Sequence, residues 1–346
     1  MTKQMMAAVL YGKEDLKVEP VAVPPIESGD ILVRVKAALT CGTDVKVFRR
    51  GYHARMIVPP ALFGHELAGD IVALGSAVSG FRIGQRVVAA NSAPCGECFY
   101  CRKNNENLCE DLLFNNGAYA EYMRIPARIV QKNTYVLPEQ VSYQDAALAE
   151  PLACVMRGLE EVNLRPDDTL AVIGLGPIGM MFVKLAKVRG IKVIAIGRRK
   201  AQTDRAARMG ADEVLVNDGS TDVVSEVRRS TGGHGVDVAI EAVGVPDTWE
   251  QAVRMVRRGG TVNFFGGCPT NTQVALDTSL LHYSEITCKA SFHFTPRHVK
   301  QALDSVARGE ITAADFVNRV EPLENLLEVM RHLMSHNGHL KTAIIP

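Results

Sequence analysis

The chain has 346 residues, of which 47% are hydrophobic and 22% charged, a composition that supports a large buried core and argues against global disorder. A formal net charge of +1 lacks the basic excess that nucleic-acid or membrane binding favours, so we expect neither as a partner. No apolar run reaches the roughly 18 residues of a membrane span, and no charged-then-apolar secretory signal opens the chain. We therefore expect a cytoplasmic protein.

Short apolar runs separated by turn residues dominate the first 90 residues. The alternation predicts strands over 6–10, 31–38, 66–74 and 86–90. This part of the sequence does not show the alternation of strands and helices that a parallel sheet requires. The pattern therefore predicts a β-rich, partly barrel-like domain.

Near residue 150 the pattern changes to strands that alternate with helices. Apolar runs of strand length cover 169–173, 192–196, 213–216, 236–242, 261–265 and 285–291. Strand–helix alternation at this spacing predicts an α/β domain with a parallel, doubly wound sheet.

The last 55 residues carry two helix patterns, at 296–308 and 322–336, and end in a strand-like tail. Six strands already complete the sheet, so we expect this segment to rejoin the first domain. The predicted domains are therefore 1–150 together with 293–346, and 151–292.

A G-x-G-x-x-G pattern lies between the apolar run 169–173 and an amphipathic helix. Gly174 suits the tight turn, Gly176 allows the backbone to approach a pyrophosphate, and Gly179 allows close packing of helix and sheet. The helix N-terminus then faces the phosphates with its partial positive charge. We expect dinucleotide binding, through Gly174, Gly176, Pro177, Ile178, Gly179, Arg198, Arg199 and Val243.

The second strand of this domain ends in Gly197-Arg198-Arg199-Lys200, without the acid that usually holds the adenosine ribose. Guanidinium groups suit a 2′-phosphate, so NADP is favoured over NAD. The alternatives are that these cations are solvated and merely open a helix, or that Arg199 stacks on adenine.

Four thiols crowd into the pattern Cys95-x2-Cys98-x2-Cys101-x7-Cys109. Four sulfurs in a short loop-rich stretch suit a closed tetrahedral zinc site, which predicts a structural zinc lobe over 95–109. The rival is an iron–sulfur cluster, whose bacterial pattern is C-x2-C-x2-C-x3-C-P. The gap of seven and the absence of a proline after Cys109 favour zinc.

A second zinc site is predicted from Cys41 and His65, two side chains that suit a catalytic zinc with one exchangeable position. Its third protein ligand is either Glu66 or Glu150. Glu150 is an isolated acid in the apolar run 148–152, where a charge needs a partner.

Two further residues complete this predicted site. Asp44 is placed to orient His65 through its second ring nitrogen. Thr43 carries a hydroxyl that could accept the proton of a bound alcohol. Zinc would activate the alcohol oxygen, and hydride would pass from the carbinol carbon to the nicotinamide.

In their order and spacing, these motifs resemble the zinc-containing medium-chain alcohol and polyol dehydrogenases over essentially the whole chain. The glutamate of Glu150-Pro151 is more similar to the sorbitol and threonine dehydrogenase branch than to the ethanol-type enzymes, which tend to have cysteine there. The resemblance implies a GroES-like catalytic domain, a Rossmann coenzyme domain and an active site in the cleft between them. It also implies dimers or tetramers. The two ligand sets described above predict two zinc ions per subunit, one catalytic and one structural.

One departure from the family concerns Lys46, which stands where many ethanol-type relatives carry a histidine that passes the proton to solvent. Lysine could replace that histidine as a proton carrier only if its pKa were lowered, so the sequence does not define the last step of proton transfer to solvent. Phe48, Phe114 and His293 are candidates for the substrate pocket.

The function predicted from these observations is a zinc-dependent oxidoreductase that transfers hydride between a secondary alcohol or polyol, or its ketone or aldehyde, and a nicotinamide coenzyme. One alternative is a hydroxy amino acid dehydrogenase of the L-threonine 3-dehydrogenase type. Another is a zinc-free quinone or enone reductase, against which the intact set of Cys41, His65, Glu66 and Glu150 argues.

Overall fold

The structure is a computed structural model, which describes residues 3–53, 55–335 and 340–346. The chain divides into two compact units, residues 1–153 with 294–346 and residues 154–293. In the described ranges, no helix combines the length and the apolarity that crossing a bilayer requires.

The strands are β1 (Gln4–Gly12), β2 (Asp15–Ala22), β3 (Ile31–Leu39), β4 (Ala61–Leu62), β5 (Glu66–Leu74), β6 (Arg86–Ala89), β7 (Ser92–Ala93), β8 (Leu113–Phe114), β9 (Tyr122–Ile125), β10 (Thr134–Val136), β11 (Thr169–Ile173), β12 (Lys192–Gly197), β13 (Glu213–Val216), β14 (Val236–Glu241), β15 (Val256–Phe264), β16 (Thr287–Ala290), β17 (Val317–Pro322) and β18 (Lys341–Ile345).

The helices are α1 (Gly42–Arg50), α2 (Phe99–Arg102), α3 (Ala127–Asn133), α4 (Tyr143–Ala147), α5 (Ala149–Val162), α6 (Pro177–Val188), α7 (Lys200–Arg208), α8 (Val223–Ser230), α9 (Pro246–Met255), α10 (Thr278–Tyr283), α11 (Pro296–Ala307), α12 (Ala313–Phe316) and α13 (Leu326–Met334). Short 3-10 turns cover Glu106–Leu108 and Leu323–Asn325.

The first unit is built on a sheet in the order β10-β6-β5-β3-β18-β17, with β9 also paired to β3. A smaller sheet has the order β2-β1-β4. Alternate residues of β3, among them Ile31, Val33 and Val35, point into one apolar core, as the two-residue period of a strand requires. The C-terminal strand β18 lies beside β3, so the tail completes the sheet of the first unit.

The second unit contains a parallel six-stranded sheet in the order β13-β12-β11-β14-β15-β16. This is the doubly wound order in which the first strand of the domain lies at the centre. β11 is buried along most of its length, which explains why it reads as a continuous apolar run. α9 ends at Met255, and β15 begins directly at Val256, five residues before the strand predicted over 261–265.

Candidate metal and coenzyme sites

Strand register brings three distant segments of the first unit together. Leu39, at the end of β3, lies opposite Glu66 at the start of β5 and opposite Ala343 of β18. The residues that leave β3, those that enter β5 and those that enter β18 therefore converge at one point of the sheet.

Cys41 leaves β3 and caps the N-terminus of α1, and its Sγ accepts a hydrogen bond from the amide of Thr43 at 3.4 Å. His65 is buried beside it, and its Nδ1 lies 2.9 Å from Oδ1 of Asp44. The second oxygen of Asp44 accepts from the amide of Cys41 at 3.2 Å and from the hydroxyl of Tyr119 at 2.6 Å. With Nδ1 against Asp44, Nε2 is the ring nitrogen that remains for a metal.

Glu66 is fully buried, and both its oxygens accept hydrogen bonds from Nζ of Lys341, at 2.7 and 2.6 Å. The ammonium also donates to the carbonyl of Thr40 at 3.0 Å. Burial alone would lower the pKa of Lys341, but Glu66 raises it above its ordinary value. The side chain is therefore a buried cation that holds the carboxylate of Glu66 in one orientation.

Glu150, near the start of α5, is only 7% exposed. Burial raises its pKa to about 7, and the positive charge of His65 opposes that rise. The carboxylates of Asp44, Glu66 and Glu150 are all buried, whereas Lys341 is the one buried lysine among the described residues. A divalent cation would compensate the excess of acid.

The donor set fits zinc. A thiol of Cys41, a ring nitrogen of His65 and an oxygen of Glu66 lie within 4.8 Å of one another. Burial alone would lower the pKa of His65, but Asp44 and Cys41 raise it well above the ordinary value, so the surroundings favour a cation. Sulfur, nitrogen and carboxylate oxygen are the ligands that zinc takes in proteins. Glu150 is not part of this close set of three donors.

The other residues predicted for this site lie at varied depth. Thr43 is half-buried in the first turn of α1, and Lys46 is exposed on the same helix. For Phe48 the expectation of substrate contact is corrected, because its side chain is fully buried in the core of the first unit. Phe114 is half-buried in β8. His293 is half-buried, has a φ of +63° and belongs to the second unit.

The four clustered cysteines meet in the segment between β7 and β8. Their sulfurs lie within 4.8 Å of one another, and the pairs Cys95–Cys101 and Cys98–Cys109 are each 3.9 Å apart. Zinc–sulfur bonds of about 2.3 Å in a tetrahedron place sulfurs about 3.8 Å apart. Backbone amides of Cys101 and Glu110 lower the pKa of Cys98 to about 6, which favours a thiolate. All four cysteines are free thiols, and the set fits a closed zinc site.

The glycine turn of the second unit has the geometry that a dinucleotide needs. Gly174 has a φ of +97°, and a Cβ added to it would lie 2.6 Å from Cγ2 of Val243. A Cβ on Gly179 would lie 1.7 Å from the carbonyl oxygen of Gly174, so only glycine lets α6 approach β11 this closely. Gly176 caps α6 and faces open space, which leaves room for a phosphate at the helix N-terminus.

At the end of β12, Arg198 is exposed and Arg199 is the N-cap residue of α7. Lys200 forms an ion pair with Asp204 at 2.7 Å, whereas neither arginine has an ion-pair partner among the described residues. Two guanidinium groups therefore stand at the strand end where a ribose-binding acid is usual.

Comparisons with known proteins agree with this geometry. A family model described as a zinc-binding dehydrogenase matches residues 177–308, and one described as an alcohol dehydrogenase GroES-like domain matches residues 27–137. A sorbitol dehydrogenase of Bacillus subtilis is 31% identical over 99% of this chain and 98% of its own length. The chain belongs to the zinc-binding medium-chain alcohol and polyol dehydrogenases.

Two other relatives extend this result. An L-threonine 3-dehydrogenase of Bacillus licheniformis is 33% identical over 73% of both chains. The solved structure of a zinc-binding dehydrogenase from Sinorhizobium meliloti bound to NADP is 30% identical, covers 99% of this chain and 100% of its own, and has a TM-score of 0.90.

The family membership confirms the predicted fold, a GroES-like domain with a Rossmann-type parallel sheet. It also confirms that the protein is an oxidoreductase of alcohols and polyols that acts on CH–OH donors. Zinc and a nicotinamide coenzyme are the cofactors that this family implies.

The sequence did not indicate the roles of three residues that shape these sites. Lys341 lies in the tail that is predicted only as a strand, and the hydroxyl of Tyr119 donates a hydrogen bond to Asp44. Glu241 closes the apolar strand β14 and is fully buried. Glu241 is one of two acids in its run, the other being Asp237, so it lacks the isolation that identified Glu150.

Proposed function

We propose that this chain is a zinc-dependent polyol dehydrogenase, which oxidises a secondary alcohol of a neutral polyol and reduces the corresponding ketone, with NADP as the preferred coenzyme. The observation that carries this proposal is the close set of Cys41, His65 and Glu66, whose donor atoms lie within 4.8 Å of one another. The similarity of the chain, over its full length, to a sorbitol dehydrogenase supports the choice of a polyol as substrate.

Cys41, His65 and Glu66 are the proposed ligands of the catalytic zinc, which leaves one position for substrate. A zinc ion held there would supply a Lewis acid for the substrate oxygen. Asp44 holds the ring of His65 through Nδ1, and Lys341 holds both oxygens of Glu66. Both contacts fix the direction in which a ligand presents its donor atom.

Thr43 is the proposed proton acceptor for the substrate hydroxyl. Its backbone amide donates to Cys41 Sγ, so the residue is anchored directly beside a proposed ligand. Lys46 follows on the same helix and is exposed, which suits a group that exchanges protons with solvent.

Replacing each glutamate in turn distinguishes the roles of Glu66 and Glu150. Glu66→Gln should lose zinc from the catalytic site, whereas Glu150→Gln should keep two zinc ions per subunit and lose rate. Metal analysis of the purified variants beside kcat/KM measures both. Zinc loss in Glu150→Gln alone would reverse the assignment, and zinc loss in neither would reject a third carboxylate ligand.

Cys95, Cys98, Cys101 and Cys109 are the proposed ligands of a second, structural zinc. Sulfur pairs 3.9 Å apart and four donors without an open position support this role. Two zinc ions per subunit are therefore expected. A lobe that holds iron and sulfide would contradict the proposal.

The preference for NADP is supported by Arg198 and Arg199 at the end of β12, where residues 197–200 contain no acid. Arg198→Ala should lower kcat/KM with NADP about tenfold and leave the value with NAD within about twofold, since only NADP carries the 2′-phosphate. Lys200→Ala is the matched control, because its ammonium is already paired with Asp204. Equal losses with both coenzymes would contradict the preference.

The test of the substrate class is an initial-rate screen of neutral polyols, simple secondary alcohols and L-threonine with both coenzymes. We expect the highest kcat/KM with a polyol. A clear preference for L-threonine would favour the hydroxy amino acid dehydrogenase that the 33% identical relative suggests. Zinc in the four-cysteine lobe alone, with reduction of quinones or enones, would favour the zinc-free alternative.

A homo-oligomer, a dimer or a tetramer, is also proposed. β16 is exposed along its length, and within the described part of the chain it pairs only with β15, so its other edge suits pairing with a second copy. Native mass spectrometry of the zinc-loaded protein measures the assembly, and a monomer would contradict the proposed oligomer.

The cytoplasm is the proposed compartment, because the eight free thiols suit its reducing conditions.

A further inference from the structure

Glu241 is a buried acid whose carboxylate accepts hydrogen bonds from neighbouring backbone amides and from a hydroxyl group. Its Oε1 accepts from the amides of Val243 and Gly244, at 2.8 and 3.0 Å, and from the hydroxyl of Thr248 at 2.7 Å. Among the described residues no lysine or arginine forms an ion pair with it, in contrast to Glu66 with Lys341. Burial raises the pKa of Glu241, and these hydrogen bonds oppose the rise.

The same residue also holds the chain that follows β15. Its backbone carbonyl accepts from the amides of Phe265 and Gly266, at 3.0 and 2.8 Å. A Cβ added to Gly266 would lie 2.7 Å from Oε2 of Glu241, so the carboxylate packs directly on this backbone. Glu241 therefore joins two loops, 242–245 after β14 and 265–267 after β15.

The first of these loops touches the glycine turn of the proposed coenzyme site. A Cβ on Gly174 would meet Cγ2 of Val243 at 2.6 Å and the carbonyl carbon of Ala242 at 3.1 Å. The amide of Ala242 donates to the carbonyl of Ile173 at 2.8 Å, which ties the loop to the end of β11. A shift of loop 242–245 would therefore change the position of the turn that is expected to receive the pyrophosphate.

Both loops follow strands that lie on the same side of β11 in the parallel sheet, so they belong to one half of the coenzyme site. In a doubly wound sheet each half binds one mononucleotide at the carboxyl ends of its strands. The half that begins with Gly174 and continues to β12 receives adenosine, so the half from β14 to β16 receives the nicotinamide nucleotide.

We propose that the Glu241 carboxylate is a positioning residue for the nicotinamide half of the coenzyme, which acts by fixing loops 242–245 and 265–267 against the glycine turn. The inference rests on the coenzyme assignment made above. Glu241 itself is fully buried, so it acts through Val243 and the loop backbone and not by contact with the reacting atoms.

The test uses Glu241→Gln in the full-length, zinc-loaded protein. Glutamine keeps the size of the side chain, but its amide group places a donor where Oε2 now accepts from the amide of Gly244 at 3.2 Å. We expect the Kd of NADPH, followed by its fluorescence, to rise about tenfold. The Kd of adenosine 2′,5′-bisphosphate, which lacks the nicotinamide half, should stay within about twofold.

This split distinguishes positioning from general destabilisation, which would weaken both ligands in parallel. Glu250→Gln on α9 is the matched control and should change neither Kd. Thr248→Val removes one hydrogen bond to the carboxylate and should give a smaller change, about threefold, in the same direction, even if Glu241→Gln does not fold.

Parallel loss of both ligands, or no change in either variant, would overturn the inference and leave the coenzyme assignment intact. A wild-type chain that binds neither NADPH nor NADH would overturn both.

Discussion

The two proposed zinc sites are assembled in opposite ways. The four-cysteine lobe takes identical donors from one segment of 15 residues, 95–109, and its sulfurs pair at 3.9 Å. The cluster of Cys41, His65 and Glu66 takes three kinds of donor from two segments, and a third segment supplies Lys341. The first arrangement needs only local folding, whereas the second exists only when β3, β5 and β18 are in register.

This difference separates stability from chemistry. A closed set of four thiolates offers no position for a substrate and can only hold its loop. Two of the three donors of the mixed cluster are held by another buried group, His65 by Asp44 and Glu66 by Lys341. Asp44 in turn accepts a hydrogen bond from Tyr119. Such support is what a site needs when its metal must keep a fixed geometry while a ligand exchanges.

The largest effect is expected from Cys41→Ser. Loss of the proposed thiolate ligand should remove one of two zinc ions and lower kcat/KM at least about 1,000-fold, since the Lewis acid supplies several kcal/mol. The Tm should change little, because the lobe keeps its metal. Metal analysis, steady-state rates and thermal unfolding measure the three quantities.

Cys288→Ser is the control for that variant, since Cys288 is an exposed cysteine of β16 far in sequence from both clusters. It should keep both zinc ions and full activity. A Cys41→Ser protein that retains its rate would show that the mixed cluster is not the catalytic centre.

The next effect, about 100-fold in kcat/KM, is expected from Lys341→Met. Removing the ammonium leaves Glu66 buried without the partner that holds both its oxygens, and outer contacts of this kind change metal affinity or activity 10- to 100-fold. Zinc affinity, measured by competition with a chelator, should fall in parallel.

The double variant Lys341→Met with Glu66→Gln tests the cause. It removes the unpaired buried charge, so it should recover part of the stability that Lys341→Met loses but none of the activity. Recovery of activity would mean that Glu66 is not a ligand and that Lys341 serves only to neutralise it.

The same contrast explains what the sequence revealed. Motifs whose residues are close in the chain, Cys95 to Cys109 and Gly174 to Gly179, follow from spacing because local geometry brings them together. Strand and helix alternation likewise predicted the parallel sheet, since each element carries its own period. The strand predicted over 261–265 begins earlier, at Val256, which the sequence does not show because residues 257–260 are arginines and glycines and lack the apolar pattern of a strand.

Contacts between distant segments were not accessible in this way. Lys341 and Glu66 are 275 residues apart, and only the register of β18 on β3 brings them together. Phe48 follows the zinc loop in sequence, yet its position on α1 turns it into the core. Side-chain direction on a helix depends on which face packs, and that is a property of the tertiary fold.

A smaller effect, about tenfold in kcat/KM, is expected from Asp44→Asn. The amide keeps the shape but removes the negative charge that faces Nδ1 of His65 at 2.9 Å, so the ring loses its fixed orientation. Both zinc ions should remain at saturating zinc. Tyr119→Phe removes a hydrogen bond of 2.6 Å to the same aspartate and should lower the rate less, about threefold. Wild-type rates in Asp44→Asn would show that His65 needs no partner.

The smallest effect on the chemistry is expected from Cys98→Ser in the lobe. One zinc should be lost, yet kcat at a temperature well below unfolding should stay within about threefold, because no lobe residue belongs to the mixed cluster. The segment is closed at its base by the pairing of β7 with β8, which confines the disturbance to the residues between them.

Stability should respond where activity does not. The Tm of Cys98→Ser should fall by roughly 5–10 °C, and limited proteolysis should cut within 94–112 before the rest of the chain, since the metal no longer closes the loop. Cys288→Ser again serves as the control and should leave both unchanged. A different outcome, in which Cys98→Ser loses activity as fully as Cys41→Ser at an unchanged Tm, would place the lobe in the catalytic reaction. The assignment of a structural role to the lobe and a catalytic role to the mixed cluster would then be wrong.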